Sequence, residues 1–258
     1  MCSQTCSSET SQIIGRSVSA ETVRNVIRQA GYKSRVARKK PFISLQNQKK
    51  RLEFAKTHQL KTNNFWNKVI FSDESKFNIF GSDGRRTVWR NPKTALAPQN
   101  LRPTVTHGGG SVMVWGCMAS TGVGNLVFID GIMNHIVYLD ILHNNLKESA
   151  KNFGLDGNFI FQHDNDPKHT ARNVKMWCFF HCKQQLHTPS QSPDNNVIEN
   201  LLATLETAVQ KHKIRNKAHL KQVLQEEWGK ISSDTTKKLV ESVPRRLEDI
   251  IKAKGHGN

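Results

Sequence analysis

Phe159-Ile160-Phe161-Gln162-His163-Asp164-Asn165-Asp166-Pro167 is an aromatic and β-branched run that stops abruptly on acids and a proline. Such a run reads as a buried strand, and Asn165-Asp166-Pro167 turns the chain sharply after it. The same pattern occurs upstream, where Val69-Ile70-Phe71 runs into Ser72-Asp73-Glu74. Downstream, the loop 189–196 (PSQSPDNN) leads into a helix predicted from about Val197 to Lys211, with Glu199 in its first turn. A helix N-terminus favours a negative charge, and packing of Ile198, Leu201 and Leu205 would hold the rotamer. In an α/β sheet, acids at strand ends stand where loops cover the strand termini and active sites form.

Other elements fill in around this frame. Phe77 to Phe80 predicts a second strand turning at Gly81-Ser82-Asp83-Gly84, and Val88-Trp89 begins a third. Residues 91–110 are rich in Pro, Asn and Gly and predict no regular structure, with His107-Gly108-Gly109-Gly110 as a hinge. Ser111–Met118 and Asn125–Ile129 read as buried strands, and Ile136–Phe153 as a helix with Leu139, Leu142 and Leu146 on one stripe. A helix over 170–181, a short strand near Leu186, a helix near His219–Trp228 and a last pair around Pro244 complete the chain. Strands first, then alternation, then helices, predicts an α/β sheet with helices packed over it.

Charge points to the partner. The 258 residues carry 38 Lys plus Arg against 21 Asp plus Glu, a net charge of +17. Residues 1–60 hold 12 of the basic residues and 3 acids, more than half the excess in under a quarter of the chain. No run approaches the ~18 apolar residues of a membrane span, which excludes an integral helical membrane protein. The first twenty residues lack the apolar stretch of a secretory signal, and the odd number of cysteines, 5, argues for reduced thiols. Ser19 is a good N-cap, Val23, Val26, Ile27 and Ala30 repeat at helical spacing, and Gly31 closes the helix. Its polar face carries Arg24, Asn25 and Arg28, and a basic tail follows with Lys33, Arg35, Arg38, Lys39 and Lys40. Such a helix suits either the DNA major groove or a plain amphipathic surface. A basic stretch interrupted by Pro41 and a helix from Gln46 to Gln59 come next, with a second cluster at Lys49, Lys50 and Arg51. Basic clusters of this kind contact polyanions through counterion release, and the two together fit a bipartite nuclear-import signal. Nucleic acid and the nucleus are therefore the expected partner and compartment.

Three acids brought together repel each other and need cations. Mg²⁺, with its preference for carboxylates, waters and phosphate oxygens, is the natural candidate, and two such ions can cut a phosphodiester. The residues alone leave alternatives open: Glu74 beside Asp73, Asp166 beside Asp164, Glu206 beside Glu199, and for each a plain turn or a solvated charge. Cys178, His181, Cys182 and His187 lack the paired spacing of a zinc site and read as ordinary thiols and histidines. Gly108–Gly110 lacks the Lys-Ser/Thr of a nucleotide loop. Trp66, Trp115 and Trp177 read as core, whereas Trp89, between Arg86 and Arg90, reads as a DNA contact.

The stretches FSDESKFNIFGSDGR (71–85), HGGGSVMVWG (107–116), FQHDNDPKHTA (161–171) and SPDNNVIENL (192–201) resemble the Tc branch of the mariner-superfamily transposases. The resemblance runs through nearly the whole chain, to Leu239-Val240-Glu241-Ser242-Val243-Pro244-Arg245-Arg246 and beyond. It implies an RNase H-like mixed sheet with flanking helices, preceded by a partial helix-turn-helix unit. It also implies an Asp, Asp, Glu triad in which 34 residues separate the last two members. Asp164 and Glu199 have that separation, and the first acid falls on Asp73, so all three become the implied catalytic and metal-binding residues.

The implied reaction is DNA cut-and-paste: Mg²⁺-dependent (or Mn²⁺-dependent) hydrolysis at terminal inverted repeats, then attack by the freed 3′-hydroxyl at a TA target. A homodimer is implied, with 89–110 as the clamp loop, and no organic cofactor. The corresponding division is a partial helix-turn-helix unit over 1–40, a basic linker and helix over 41–60, a catalytic domain over 61–230 and a helical extension over 231–258. Some positions depart from the family: Met1 falls inside the second of two usual helix-turn-helix units, an N-terminal truncation. Asn195, Val197 and Leu202 stand where Leu, Pro and Trp are usual, and His163 where Gln is usual. These departures suit a drifted copy with impaired transposition, and the rival is a catalytically silent, transposase-derived DNA-binding protein.

Overall fold

The computed structural model describes residues 15, 19–31, 42–79 and 110–256. The turn at 81–84, the strand at Val88-Trp89, the irregular segment up to residue 109, Lys33, Arg35, Arg38, Lys39, Lys40, Cys2 and Cys6 lie outside the described residues. The chain divides into two compact units, Met1–Pro41 and Phe42–Asn258.

In the first unit, helix α1 spans Ala20–Gln29. Ser19 caps it as expected, its hydroxyl accepting from the Thr22 N–H at 3.1 Å. Gly31, with φ +85°, takes the left-handed conformation that ends it. The apolar spacing of Val23, Val26 and Ile27 is real, yet no α1 residue is buried within the described structure.

The second unit begins with α2 (Leu45–His58) and the single turn α3 (Asn63–Trp66), then enters a five-stranded sheet. The strands are β1 (Val69–Asn78), β2 (Ser111–Ala119), β3 (Gly122–Ile129), β4 (Ile160–His163) and β5 (Gln184–His187), in the order β3-β2-β1-β4-β5. The first three are antiparallel neighbours; β4 and β5 join β1 in parallel. Between β3 and β4, α4 (His135–Ile141) runs through a π-helical turn at Leu142–Leu146 into α5 (Lys147–Asn152). Helix α6 (Arg172–His181) lies between β4 and β5, and α7 (Ile198–Val209), α8 (Lys217–Gly229), α9 (Ser233–Glu241) and α10 (Val243–Lys252) close the chain.

Strand alternation sorts the core into two layers. Val69 and Phe71 face one side with Ile198, Leu201, Leu205, Leu224 and Leu247; Ile70 faces the other with Tyr138, Leu142, Leu146 and Trp177. Trp66 and Trp115 are buried as expected, and helices cover both faces.

Two expectations change. The strand expected at 69–71 and the start of the one expected at 77–80 belong to one continuous β1, which ends at Asn78, so Asp73 sits mid-strand rather than at a strand end; Phe80 lies outside the described residues. The polar Ser72–Lys76 stretch stays extended because β2 pairs along it, from Phe71 opposite Met118 to Asn78 opposite Ser111. On the other side the parallel pairing stops at Phe71 opposite Gln162, leaving Asp73 just past the end of that ladder. The divisions at 60 and 230 also do not mark packing units. Phe54 and Ala55 of α2 share a core with Val240, Val243, Leu247 and Ile250 of α9 and α10.

Arg51 corrects the charge reading. It is fully buried, not a DNA contact. Its guanidinium donates from Nε to the Gly255 carbonyl at 2.9 Å, and from Nη1 to the Gln191 carbonyl at 2.9 Å and Asp194 Oδ1 at 2.7 Å. Nη2 completes a fork on Asp194 Oδ2. Gly255 is held there by φ +83° and by an approach so close that a Cβ would lie 2.2 Å from the Gln48 carbonyl oxygen. Breaking a buried pair from one side leaves the other charge stranded. Arg51→Ala is expected to cost about 3 kcal/mol or more of unfolding free energy, read from urea denaturation. Arg51→Lys should recover little of it, since an ammonium cannot reproduce the fork.

Candidate active site

Asp73 continues the face of β1 that carries Val69 and Phe71, the face covered by α7. Asp164 follows β4 directly, and loop 188–196 then leads back to the start of α7 and Glu199. A cavity of about 280 Å³ opens at this meeting point, lined by Asp73, Gln162, Asp164, Asn196 and Glu199 with the loop Thr188–Pro193 as its rim. The structure thus brings the three expected acids to one cavity.

Asp73 is half-buried. Its Oδ1 accepts the Glu74 N–H at 2.8 Å and its Oδ2 accepts from Asn196 Nδ2 at 3.2 Å. Burial, with the Glu199 carboxylate next, pushes its acid up to about 8. Glu199, second residue of α7, is exposed, with its N–H on the Asn196 carbonyl at 3.2 Å. A carboxyl with a folded pKa far above its ordinary 3.8 contributes stability fully below pH 4, and loses it as pH rises towards 8, because the unfolded chain ionises first. Asp73→Asn should therefore stabilise the metal-free chain at pH 7.5, with the advantage shrinking towards pH 4. Urea midpoints across that range would measure it.

Asp164 behaves in the opposite way. Burial works to raise its acid, but the hydrogen bond from His169 and the Asp166 N–H outweigh it and hold the carboxyl at about 2. Both donors, His169 Nδ1 and the Asp166 N–H at 3.0 Å, meet the same oxygen, Oδ1. His169 in turn places Nε2 3.2 Å from Glu74 Oε1. Burial opposes its charge, but these two carboxylates raise its pKa to about 9. Beside it His163 accepts or donates at Nδ1 to the Tyr138 hydroxyl at 3.0 Å, and burial plus the neighbouring His169 push it down to about 3, so it stays neutral.

The alternatives left open by sequence separate here. Asp166 also lines the cavity but is paired with Lys168 Nζ at 2.8 Å. Glu74 points to the opposite face of β1, towards Lys168 at 3.3 Å and His169. Glu206 lies further along α7, away from the cavity, accepting from Gln210 Nε2 at 3.1 Å. His169 was legible in FQHDNDPKHTA only as one letter of a motif; nothing in its spacing announced a buried partner of Asp164.

Among the described residues, no group of three His, Cys, Asp or Glu side chains already converges as an ion-binding set. The donor chemistry nevertheless fits a hard divalent cation. Asp73 and Glu199 raise each other's energy as anions, and buried Gln162 Oε1 and Asn196 Oδ1 have no hydrogen-bond partner. These are oxygen donors short of positive charge, the set that Mg²⁺ or Mn²⁺ takes.

The departures around Glu199 have a physical signature. Asn195, where the family usually has Leu, is 5% exposed and neither end of its amide has a hydrogen-bond partner. Val197 and Leu202 are buried in the core without comparable conflict. Asn195→Leu should remove the desolvation cost and raise unfolding free energy by about 1–3 kcal/mol, measured by urea denaturation.

In the first unit, Arg24, Asn25 and Arg28 are carried by one helix. Arg28 Nη1 reaches Asn25 Oδ1 at 3.1 Å and Glu21 Oε1 at 3.2 Å, and Arg24 also pairs with Glu21.

Comparison with known proteins agrees with this architecture. A helix-turn-helix family model described as transposase matches residues 2–60. The Tc1 transposase of Caenorhabditis elegans is 42% identical over 239 residues, covering 92% of this chain and 87% of the relative. The Tcb1 transposase of Caenorhabditis briggsae is 42% identical over 238 residues with the same coverage, and the Tc3 transposase of Caenorhabditis elegans 35% identical over 243 residues, 93% and 72% of the two chains. Among solved structures, the Mos1 transposase paired-end complex with left transposon end superposes with TM-score 0.79 at 21% identity, covering 92% of this chain and 71% of that one. The Mos1 catalytic domain alone gives 0.64 at 17% identity, covering 84% and 98%. At that identity the likeness establishes the RNase H-like fold.

Proposed function

Because the chain belongs to the Tc1-type transposases of the mariner superfamily, we propose that Asp73, Asp164 and Glu199 carry its DNA cut-and-paste chemistry. The observation that supports this most directly is their arrival on one cavity from β1, the end of β4 and the start of α7. Divalent cations, Mg²⁺ or Mn²⁺, would lower the barrier by activating the attacking oxygen and stabilising the leaving one. Relatives of the same fold have been crystallised with Mn and with Mg.

The chain's own residues do the rest. Asp73 gives up the proton that burial and Glu199 hold on it, and the two carboxylates then face the cavity as anions. Asn196 Nδ2 fixes the Asp73 carboxylate from the α7 side, donating also to the Ser72 carbonyl at 3.2 Å. The Arg51–Asp194 fork holds the loop that sets Glu199 against Asp73. The open face of the cavity admits a phosphodiester: first hydrolysis at a terminal inverted repeat, then attack by the released 3′-hydroxyl on a TA target. Arg24, Asn25 and Arg28 of α1, with Lys33, Arg35, Arg38, Lys39 and Lys40, contact double-stranded DNA. Two copies act on paired transposon ends, a reading supported by the paired-end complex known for the Mos1 transposase, and the nucleus is the compartment.

The test is strand cleavage on duplexes bearing candidate inverted repeats, in Mg²⁺ and in Mn²⁺. Cleavage should occur with either ion, vanish on chelation, and fall at least 10³-fold in Asp164→Asn and Glu199→Gln, about the loss that follows removal of key transition-state stabilisation. DNA binding without cleavage at any metal concentration would instead identify a silent, transposase-derived DNA-binding protein. Arg28→Ala should weaken that binding and flatten its dependence on log salt concentration by about one unit per lost phosphate contact.

A further inference from the structure

His169 is 2% exposed, enclosed behind the cavity rather than in it. Its ring packs tilted against Tyr138 with centroids 4.1 Å apart and stacks on His163 at 5.2 Å, so packing fixes its plane. Its two nitrogens face two different carboxylates: Nδ1 is hydrogen-bonded to Asp164, and Nε2 lies 3.2 Å from Glu74 Oε1 without making a hydrogen bond to it. A carboxylate only accepts, so Nδ1 carries a proton in this arrangement. Glu74 is itself fixed by Lys168 Nζ at 3.3 Å and is the residue after Asp73 on β1. The imidazole therefore stands between the end of β4, which it hydrogen-bonds, and the strand that carries the first acid.

The two bonds to Asp164 are asymmetric in a useful way. His169 Nδ1 and the Asp166 N–H both occupy Oδ1, and no protein donor reaches Oδ2 among the described residues. The Asp164 side chain is 55% exposed and belongs to the cavity lining. One oxygen is anchored from behind, and the other is left for the cavity.

We propose that His169 is a positioning residue of this site, holding Asp164 by Oδ1 so that Oδ2 is the oxygen presented to a divalent ion. The proposal rests on the reading of Asp164 as a metal ligand. Outer hydrogen bonds of this kind orient ligands, and their loss typically weakens metal binding 10–100-fold. A purely structural role would instead be served by any buried group that keeps the pocket filled and partly bonded.

Two substitutions separate these roles. The amide of His169→Asn reaches the place of Nδ1 and keeps the bond to Asp164 while losing Glu74. The longer His169→Gln reaches the place of Nε2 and keeps Glu74 while losing Asp164. Mn²⁺ binding to the full chain, followed by electron paramagnetic resonance beside urea midpoints, is the readout. His169→Gln should bind Mn²⁺ about 10–100-fold more weakly, and His169→Asn should stay close to the parent. Gln binding like the parent, or Asn falling as far as Gln, would overturn the proposal. Should the Gln variant not fold, the Asn variant still decides: retained binding supports the assignment and lost binding overturns it. Asp164→Asn separates the two layers. If it binds Mn²⁺ as well as the parent, Asp164 is no ligand and both readings fall; if it does not, only the His169 comparison is at stake.

Discussion

Asp73 and Glu199 are pressed towards each other by elements that gain nothing from their proximity. The hydrophobic packing of α7 on the sheet, through Ile198, Leu201 and Leu205, decides where Glu199 stands. The pairing of β1 with β2 decides where Asp73 stands. Two like charges in a half-buried setting are a local cost, and burial together with that repulsion holds a proton on Asp73. The core, formed by many apolar contacts, is large enough to impose this arrangement. Around it the loop before α7 contains the Arg51–Asp194 fork, and the floor contains acceptors with no donor. A site that crowds like charges and unpaired acceptors is a site that gains most when positive charge arrives.

The second acid is treated differently, and the contrast is informative. Asp164 is stabilised as an anion from behind by His169 and the Asp166 N–H, whereas Asp73 is destabilised as one. The pair of histidines behind the cavity is likewise split: His163 neutral against the Tyr138 hydroxyl, His169 charged between two carboxylates. Neighbouring groups of the same chemical type thus hold opposite protonation states, set by burial and by the partners each side chain meets.

Much of this was legible in the chain. The alternation of Val69, Ile70 and Phe71, the abrupt end of Phe159–His163 and the helix opening at Glu199 are local patterns, and each survives in the structure. Continuity of β1 through Ser72–Lys76 was not legible, because it is imposed by β2, whose partner residues lie some forty positions away. Arg51 read as one more surface charge, since nothing local distinguishes a buried guanidinium from an exposed one; its partners are Gln191, Asp194 and Gly255. His169 was hidden for the same reason. Its role is created by a strand and a helix that approach it from elsewhere in the chain.

The Arg51 fork gathers three stretches remote in sequence: α2 near the start of the second unit, the loop before Glu199, and the last turn before the C-terminal end. One guanidinium thereby couples the seating of α2 and of the turn at 253–255 to the loop that leads into Glu199, so loosening either distant stretch disturbs that loop.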